Sequence, residues 1–323
     1  MPAPLLLQPV FHEKIWGGSQ LRSRFNYPIF SDHTGECWGI SGHPHGLSTI
    51  KNGRYQGQSL AAVWHAHPEL FGHRDTQQPF PLLTKILDAQ QDLSVQVHPD
   101  DSYARVHEHE LGKTECWYVI HAEPDAQLYY GHHAQTRSQL AAWIHTGNWQ
   151  ALFRRIPIKT GDFFYVPAGT VHALGAGTMV LETQQSSDTT YRLYDFDRVD
   201  DTHTHHKRRL HLKQAIDTIQ VPHRDPVLTV TTTSDHHFVQ TNFVQAPAFT
   251  VVKWDLNGTH TFHQAATDFT LVSVLNGTGT LTIAEQPYPL RAGDHLILPS
   301  TVTGWQIHGD HLSCIATLPG PDI

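Results

Sequence analysis

A nine-residue word occurs twice in this chain and narrows the folds open to it. Lys159-Thr160-Gly161-Asp162-Phe163-Phe164-Tyr165-Val166-Pro167 returns as Arg291-Ala292-Gly293-Asp294-His295-Leu296-Ile297-Leu298-Pro299, each with Gly-Asp, a short apolar run and a closing proline. Gly-Asp is turn chemistry, the apolar run reads as a buried strand, and proline cannot extend the ladder behind it. Two copies of such a unit predict two copies of one β-module. Strand signals dominate elsewhere, at 82–87, 93–98, 115–120, 163–166, 179–183 and 190–194, then at 249–254, 269–275, 280–283 and 295–298. Gly, Pro, Asn and Asp separate many of them, which predicts a sandwich or barrel. Helical spacing is confined to 59–64, 138–144 and 212–219, the first two with Ser59 and Ser138 as candidate caps. A break at Val221-Pro222-His223-Arg224-Asp225-Pro226 divides the chain into 1–222 and 223–323.

The 323 residues suffice for one long or two shorter domains. With 22 Lys and Arg against 30 Asp and Glu the net charge is −8, and no basic run exceeds Lys207-Arg208-Arg209, which argues against nucleic acid as a partner. The first residues lack a basic start and a full apolar core, and no stretch approaches a membrane span. The expectation is a cytoplasmic protein with no membrane association and no protein partner implied. The three cysteines are widely spaced with no CxxC pair, so a disulfide framework and a thiolate zinc site are both disfavoured. Any metal here must use His, Glu and Gln.

Abundance weakens the case for any one of the 27 histidines. The tracts His107-Glu108-His109 and His203-Thr204-His205-His206 read as solvated loop or helix-end residues. Context singles out His98, in Gln96-Val97-His98-Pro99, and His172, eleven residues beyond Gly161. Gln96 and His98 share a strand face, whereas Glu115 and His172 must come from other strands, so only a folded β-module could gather these four possible ligands. In the second copy the offset of His172 lands on Gly304, Thr270 or a neighbour stands where Glu115 would fall, and Gln96-Val97-His98 has no counterpart. One metal site, in the first module, is expected, with the second module structural. Lys85, Lys113 and Arg192 are cations in apolar strand contexts and need a partner. Lys113 shares the face of Glu115 and is the candidate for proton transfer, with a pKa lowered beside a metal. Trp16, Trp38 and Trp117 read as core, Asp100 and Asp101 as turn residues, and Asp195 and Asp197 as partners that orient Arg192 or Arg198.

The stretch from Gly161 to His172 resembles the second sequence motif of cupins. Taken with Gln96-Val97-His98-Pro99-Asp100-Asp101, Gly112-Lys113-Thr114-Glu115 and Tyr191-Arg192-Leu193-Tyr194-Asp195-Phe196-Asp197-Arg198, it makes the chain similar to type I phosphomannose isomerases of the short bacterial form. Lys14-Ile15-Trp16-Gly17-Gly18 and Gly35-Glu36-Cys37-Trp38-Gly39 extend the likeness over most of residues 10–220. The resemblance implies a mainly β chain of two cupin jelly-roll β-barrel modules, with a few short helices around the first. It further implies interconversion of mannose 6-phosphate and fructose 6-phosphate, with one Zn²⁺ per chain on Gln96, His98, Glu115 and His172. Arg192 corresponds to the family's active-site arginine, suited to phosphate or enediolate, and Lys85 is a second candidate for the phosphate. The ligand set makes chemical sense: neutral Gln and His with a single Glu leave positive charge in excess, which favours the negative charge that develops on the oxygens of a cis-enediol. One departure from some long-form relatives is Gly112, where they carry a His. Two other readings compete. One is a non-catalytic bicupin that binds a sugar or sugar phosphate; the other is a metal-dependent cupin oxygenase or decarboxylase, whose sites typically present HxH where this chain has Gln96-Val97-His98.

Overall fold

A computed structural model describes residues 2–199 and 206–320, so His203, Thr204 and His205 of the second histidine tract lie outside the described residues. The first module is built of two antiparallel sheets. One runs in the order Phe163–Val166, Glu115–Ala122, Thr178–Gln185, Leu82–Ala89, Val10–Gly18, Thr34–Ser41; the other runs Tyr191–Tyr194, Val95–Val97, His172–Leu174, Gln127–His132, Phe153–Pro157. Leu82–Ala89, Thr178–Gln185 and Thr34–Ser41 are buried along their whole length, as strands covered on both faces must be. Leu87, Trp117, Val119 and Val180 of the first sheet meet Val95, Val97, Leu128 and Ala173 of the second in one core. The chain is mainly β and cupin-like, as expected. The expected barrel is open, however: among the described residues no strand pairing joins the two sheets into a closed cylinder.

The second module is a nine-stranded sheet that follows Thr231–Ser234, Phe238–Gln245, Phe249–His263, Gly304–Pro319, Thr270–Ile283 and His295–Leu298. It continues through two N-terminal strands, Leu5–Gln8 and Thr49–Ile50, with Leu6 opposite Leu296, and the ninth strand, Gln286–Arg291, pairs with the far half of Thr270–Ile283. We propose the boundary at 222/223 as the division between two modules, tied together by Leu5–Gln8. The repeated word folds alike in both: Gly161 and Gly293 take φ of 92° and 88°, and Asp162 and Asp294 each accept the backbone N–H three residues before them at 2.9 Å. The segments read as 269–275 and 280–283 are one strand, Thr270–Ile283, which passes its Asn-Gly signal by register shifts at Asn276 instead of turning.

Helices Leu60–Ala66 and Leu212–Thr218 lie where periodicity placed them, and Ser59 caps the first by accepting the Ala62 N–H. Ser138 is not a cap. Thr136 takes that role for Arg137–His145, because its backbone is extended and its hydroxyl reaches the Gln139 N–H, leaving Ser138 inside the first turn. Asp100 and Asp101 are not in a simple turn either. Asp100 caps the helix Asp101–His107, whose single buried residue, Ala104, leaves no apolar stripe for sequence to show.

Candidate metal centre

The five-stranded sheet aligns Arg192, Gln96 and His172 in one register row, with His98 just past the strand Val95–Val97. Glu115 reaches the same space from the start of Glu115–Ala122, opposite Gln184 and Val166. His98 Nε2 lies 3.4 Å from Glu115 Oε2, His172 Nε2 lies 3.3 Å from Oε1, and the two ring nitrogens are 3.2 Å apart. Among the described residues these three form the only group of His, Cys, Asp or Glu side chains with ligand atoms this close together, all within 4.8 Å. Gln96 stands beside them, its Nε2 3.5 Å from His172 Nε2. A half-turn of that carboxamide presents Oε1, a ligand atom, at nearly the same place.

The surroundings prepare both imidazoles to be ligands. His98 Nδ1 donates to the Thr189 carbonyl at 2.9 Å and His172 Nδ1 to the Thr170 carbonyl at 2.8 Å, which leaves each Nε2 lone pair facing the cluster. Burial lowers His172 to about 3; burial and then Lys113 lower His98 well below the usual histidine range. Both rings are therefore neutral at ordinary pH. Glu115 is the reverse case: burial, reinforced by Glu182, pushes its carboxyl up to about 8 against the pull of Lys113 and Lys85. Neither of its oxygens has a hydrogen-bond partner, although the residue is fully buried. A buried carboxyl with no hydrogen bond on either oxygen, facing two neutral nitrogen lone pairs, makes a donor set that fits a divalent ion with nitrogen and oxygen ligands.

The cations expected at the site divide into two groups. Lys113 Nζ lies 3.8 Å from Glu115 Oε2, beside the cluster. Lys85 is buried over the Trp38 ring at 4.5 Å and 3.8 Å from Glu182. Burial alone would lower it, but Glu36 and Glu182 outweigh burial and hold it above the usual lysine value. Arg192 donates to Ser94 Oγ at 3.1 Å and to the Arg209 carbonyl at 3.0 Å; burial and Arg208 bring it down to about 10. Asp195 does not clasp Arg192. It accepts from Arg198 and Arg208, while Asp197 pairs with Lys207 instead of either expected arginine, because segment 206–211 folds back over this strand end. Trp16, Trp38 and Trp117 are buried core residues, yet two also orient acids: Trp38 Nε1 donates to Glu36 at 2.7 Å and Trp117 Nε1 to Glu182 at 2.9 Å.

Three acids here escaped the sequence reading. Glu36 and Glu182 balance Lys85, and Asp188 accepts from His45 at 3.0 Å. Burial opposes its ionisation, but Lys85 and Lys113 draw Asp188 down to about 2. Glu182 had a signal, a lone charge in an apolar strand; Asp188, in a polar loop, had none.

Residues 5–121 match the family described as phosphomannose isomerase type I, catalytic domain, and residues 239–319 match the mannose-6-phosphate isomerase cupin domain. A mannose-6-phosphate isomerase of Streptococcus mutans is 52% identical over 96% of this chain and 96% of its own length. The crystal structure of the mannose 6-phosphate isomerase from Bacillus subtilis superposes with a TM-score of 0.94 at 47% identity, covering 98% of this chain and 99% of that one. A putative mannosephosphate isomerase of Archaeoglobus fulgidus, 18% identical with a TM-score of 0.76 over 99% of both chains, shares the fold.

Proposed function

The chain belongs to the type I phosphomannose isomerase family, and on that premise we propose that it interconverts mannose 6-phosphate and fructose 6-phosphate at the His98, Glu115 and His172 cluster. One observation carries the reading: a fully buried carboxylate without a hydrogen bond faces two imidazoles whose other nitrogens are tied to carbonyls. These three residues, with Gln96 as a fourth, would hold one zinc ion, whose borderline-soft character suits nitrogen donors better than a hard cation would. Bound there, the ion would supply Lewis acidity to sugar oxygens that gain negative charge.

The remaining work falls to the chain itself. Conversion of the open-chain aldose to the ketose moves a proton from C2 to C1 through a cis-enediol. Lys113 Nζ, beside the cluster, is the proposed carrier of that proton. Arg192, in register with Gln96, presents a planar fork for the phosphate. Lys85 adds positive field at Glu115; because Glu36 and Glu182 already balance it, Arg192 is the stronger phosphate ligand of the two. All three cluster residues are exposed by 1% or less, so the ion they would hold sits away from bulk water. No helix among the described residues is long and apolar enough to cross a membrane, and a cytoplasmic location is proposed for an enzyme of phosphorylated sugars. The test is direct: zinc-loaded protein mixed with mannose 6-phosphate should yield fructose 6-phosphate, and none appearing at full zinc occupancy would overturn the proposal.

A further inference from the structure

We propose that Glu110 is a positioning residue for the metal centre, acting on His98 through the loop at 187–189; the inference rests on the zinc reading above. The two histidines of the cluster obtain their carbonyl acceptors in different ways. His172 donates to Thr170, two residues back on its own segment, so that bond is set locally. His98 donates to Thr189, 91 residues away in a loop outside any strand, so something must hold that loop for the bond to persist.

Glu110 does so, from the connection between the helix Asp101–His107 and the strand Glu115–Ala122. Its Oε2 accepts the Ser187 hydroxyl at 2.9 Å and the Thr189 hydroxyl at 2.8 Å. Thr189 N also donates to Ser187 Oγ at 3.3 Å. Thr189 is thus tied to a carboxylate by its side chain while its carbonyl faces His98. Hydrogen bonds to an ionised acceptor are the stronger kind, and two on one oxygen fix position as well as distance. From the other side, Gln184 Nε2 donates to the Ser187 carbonyl at 2.6 Å, so the loop is held between a buried strand residue and Glu110. The neighbouring bond, Tyr191 hydroxyl to Glu108 at 2.7 Å, fastens the same two segments without touching Thr189. It separates general loop stability from the specific path to His98.

The experiment is a zinc competition titration of the full chain against a chromogenic chelator. Loss of an outer partner of a metal-bound histidine typically weakens binding ~10-fold or more, so Glu110→Ala should raise the zinc Kd about tenfold. Glu110→Gln, whose amide oxygen can still accept both hydroxyls, should stay close to the parent, and Thr189→Val should reproduce part of the loss. Tyr191→Phe should leave the zinc Kd unchanged. Equal zinc affinity in Glu110→Ala and the parent, or equal weakening by Glu110→Ala and Tyr191→Phe, would overturn the inference. If Glu110→Ala does not fold, Thr189→Val decides: parental affinity there refutes the path. A parent chain that fails to bind zinc at all would overturn the zinc reading itself, a result distinct from parental affinity in the variants.

Discussion

The two modules place different chemistry on the same backbone frame. In the first, Val166 of the repeated word lies opposite Glu115; in the second, Leu298 at the matching position lies opposite Thr270. The Glu115 carboxylate is left with no hydrogen bond. The Thr270 hydroxyl is adjacent to Gln264 Oε1 at 2.8 Å, and the same amide donates to the Pro299 and Val302 carbonyls at 2.8 Å each. Where the offset of His172 would fall stands Gly304, and the interior nearby is filled by Trp254, Phe262 and Trp305, the last two stacked at 5.6 Å. A polar position satisfied from within the fold makes a scaffold. A polar position denied its partners, but kept buried, makes a site.

The comparison can be broken most severely at the histidine position. His172→Ala should cut isomerase activity on the order of a thousandfold, since a metal's stabilisation of developing charge amounts to several kcal/mol. Gly304→Ala, at the matching offset, should leave the rate of fructose 6-phosphate formation unchanged. Next in size is Thr270→Glu, which would bury a carboxylate among partners arranged for a hydroxyl. Thermal denaturation should show a loss of about 3–5 kcal/mol, the usual cost of an uncompensated buried charge; a near-neutral change would mean that the second module tolerates an unsatisfied acid as the first does.

The smallest effect concerns Glu115 in metal-free protein. Its carboxyl is raised from an ordinary 4.5 to about 8, so its contribution to stability is full below pH 4.5 and is lost as pH rises towards 8. Glu115→Gln should therefore stabilise the stripped protein increasingly from pH 5 to pH 8 and then level off, reaching about 2 kcal/mol in urea unfolding once discounted for local relaxation. A gain independent of pH would contradict the assigned cause.

The parts of the molecule that sequence revealed are those written in local patterns. Gly161-Asp162 and Gly293-Asp294 announce their turns because glycine takes the positive φ and aspartate closes the turn on its own backbone. His98, Glu115 and His172 stood out because each sits in a distinctive word at a strand end. Long-range choices were hidden. Nothing local tells Leu5–Gln8 to join the second module, since any apolar tetrapeptide can add to an edge. Thr136 displaced Ser138 as a cap because two hydroxyl residues compete within three positions and only the backbone decides. Asp195 does take the expected Arg198, but its second partner Arg208, the Lys207 that pairs with Asp197, and the distant Ser187 and Thr189 that bind Glu110 are choices that spacing cannot specify.

The central claim is that one metal centre, in the first module alone, sustains isomerisation. Stepwise addition of zinc to the stripped full chain, with the rate of mannose 6-phosphate conversion followed at each step, tests it most directly. The account predicts no conversion at the start and a linear rise that ends at one zinc per chain. Full activity in the stripped protein, or a rise that continues to a second equivalent, would contradict it.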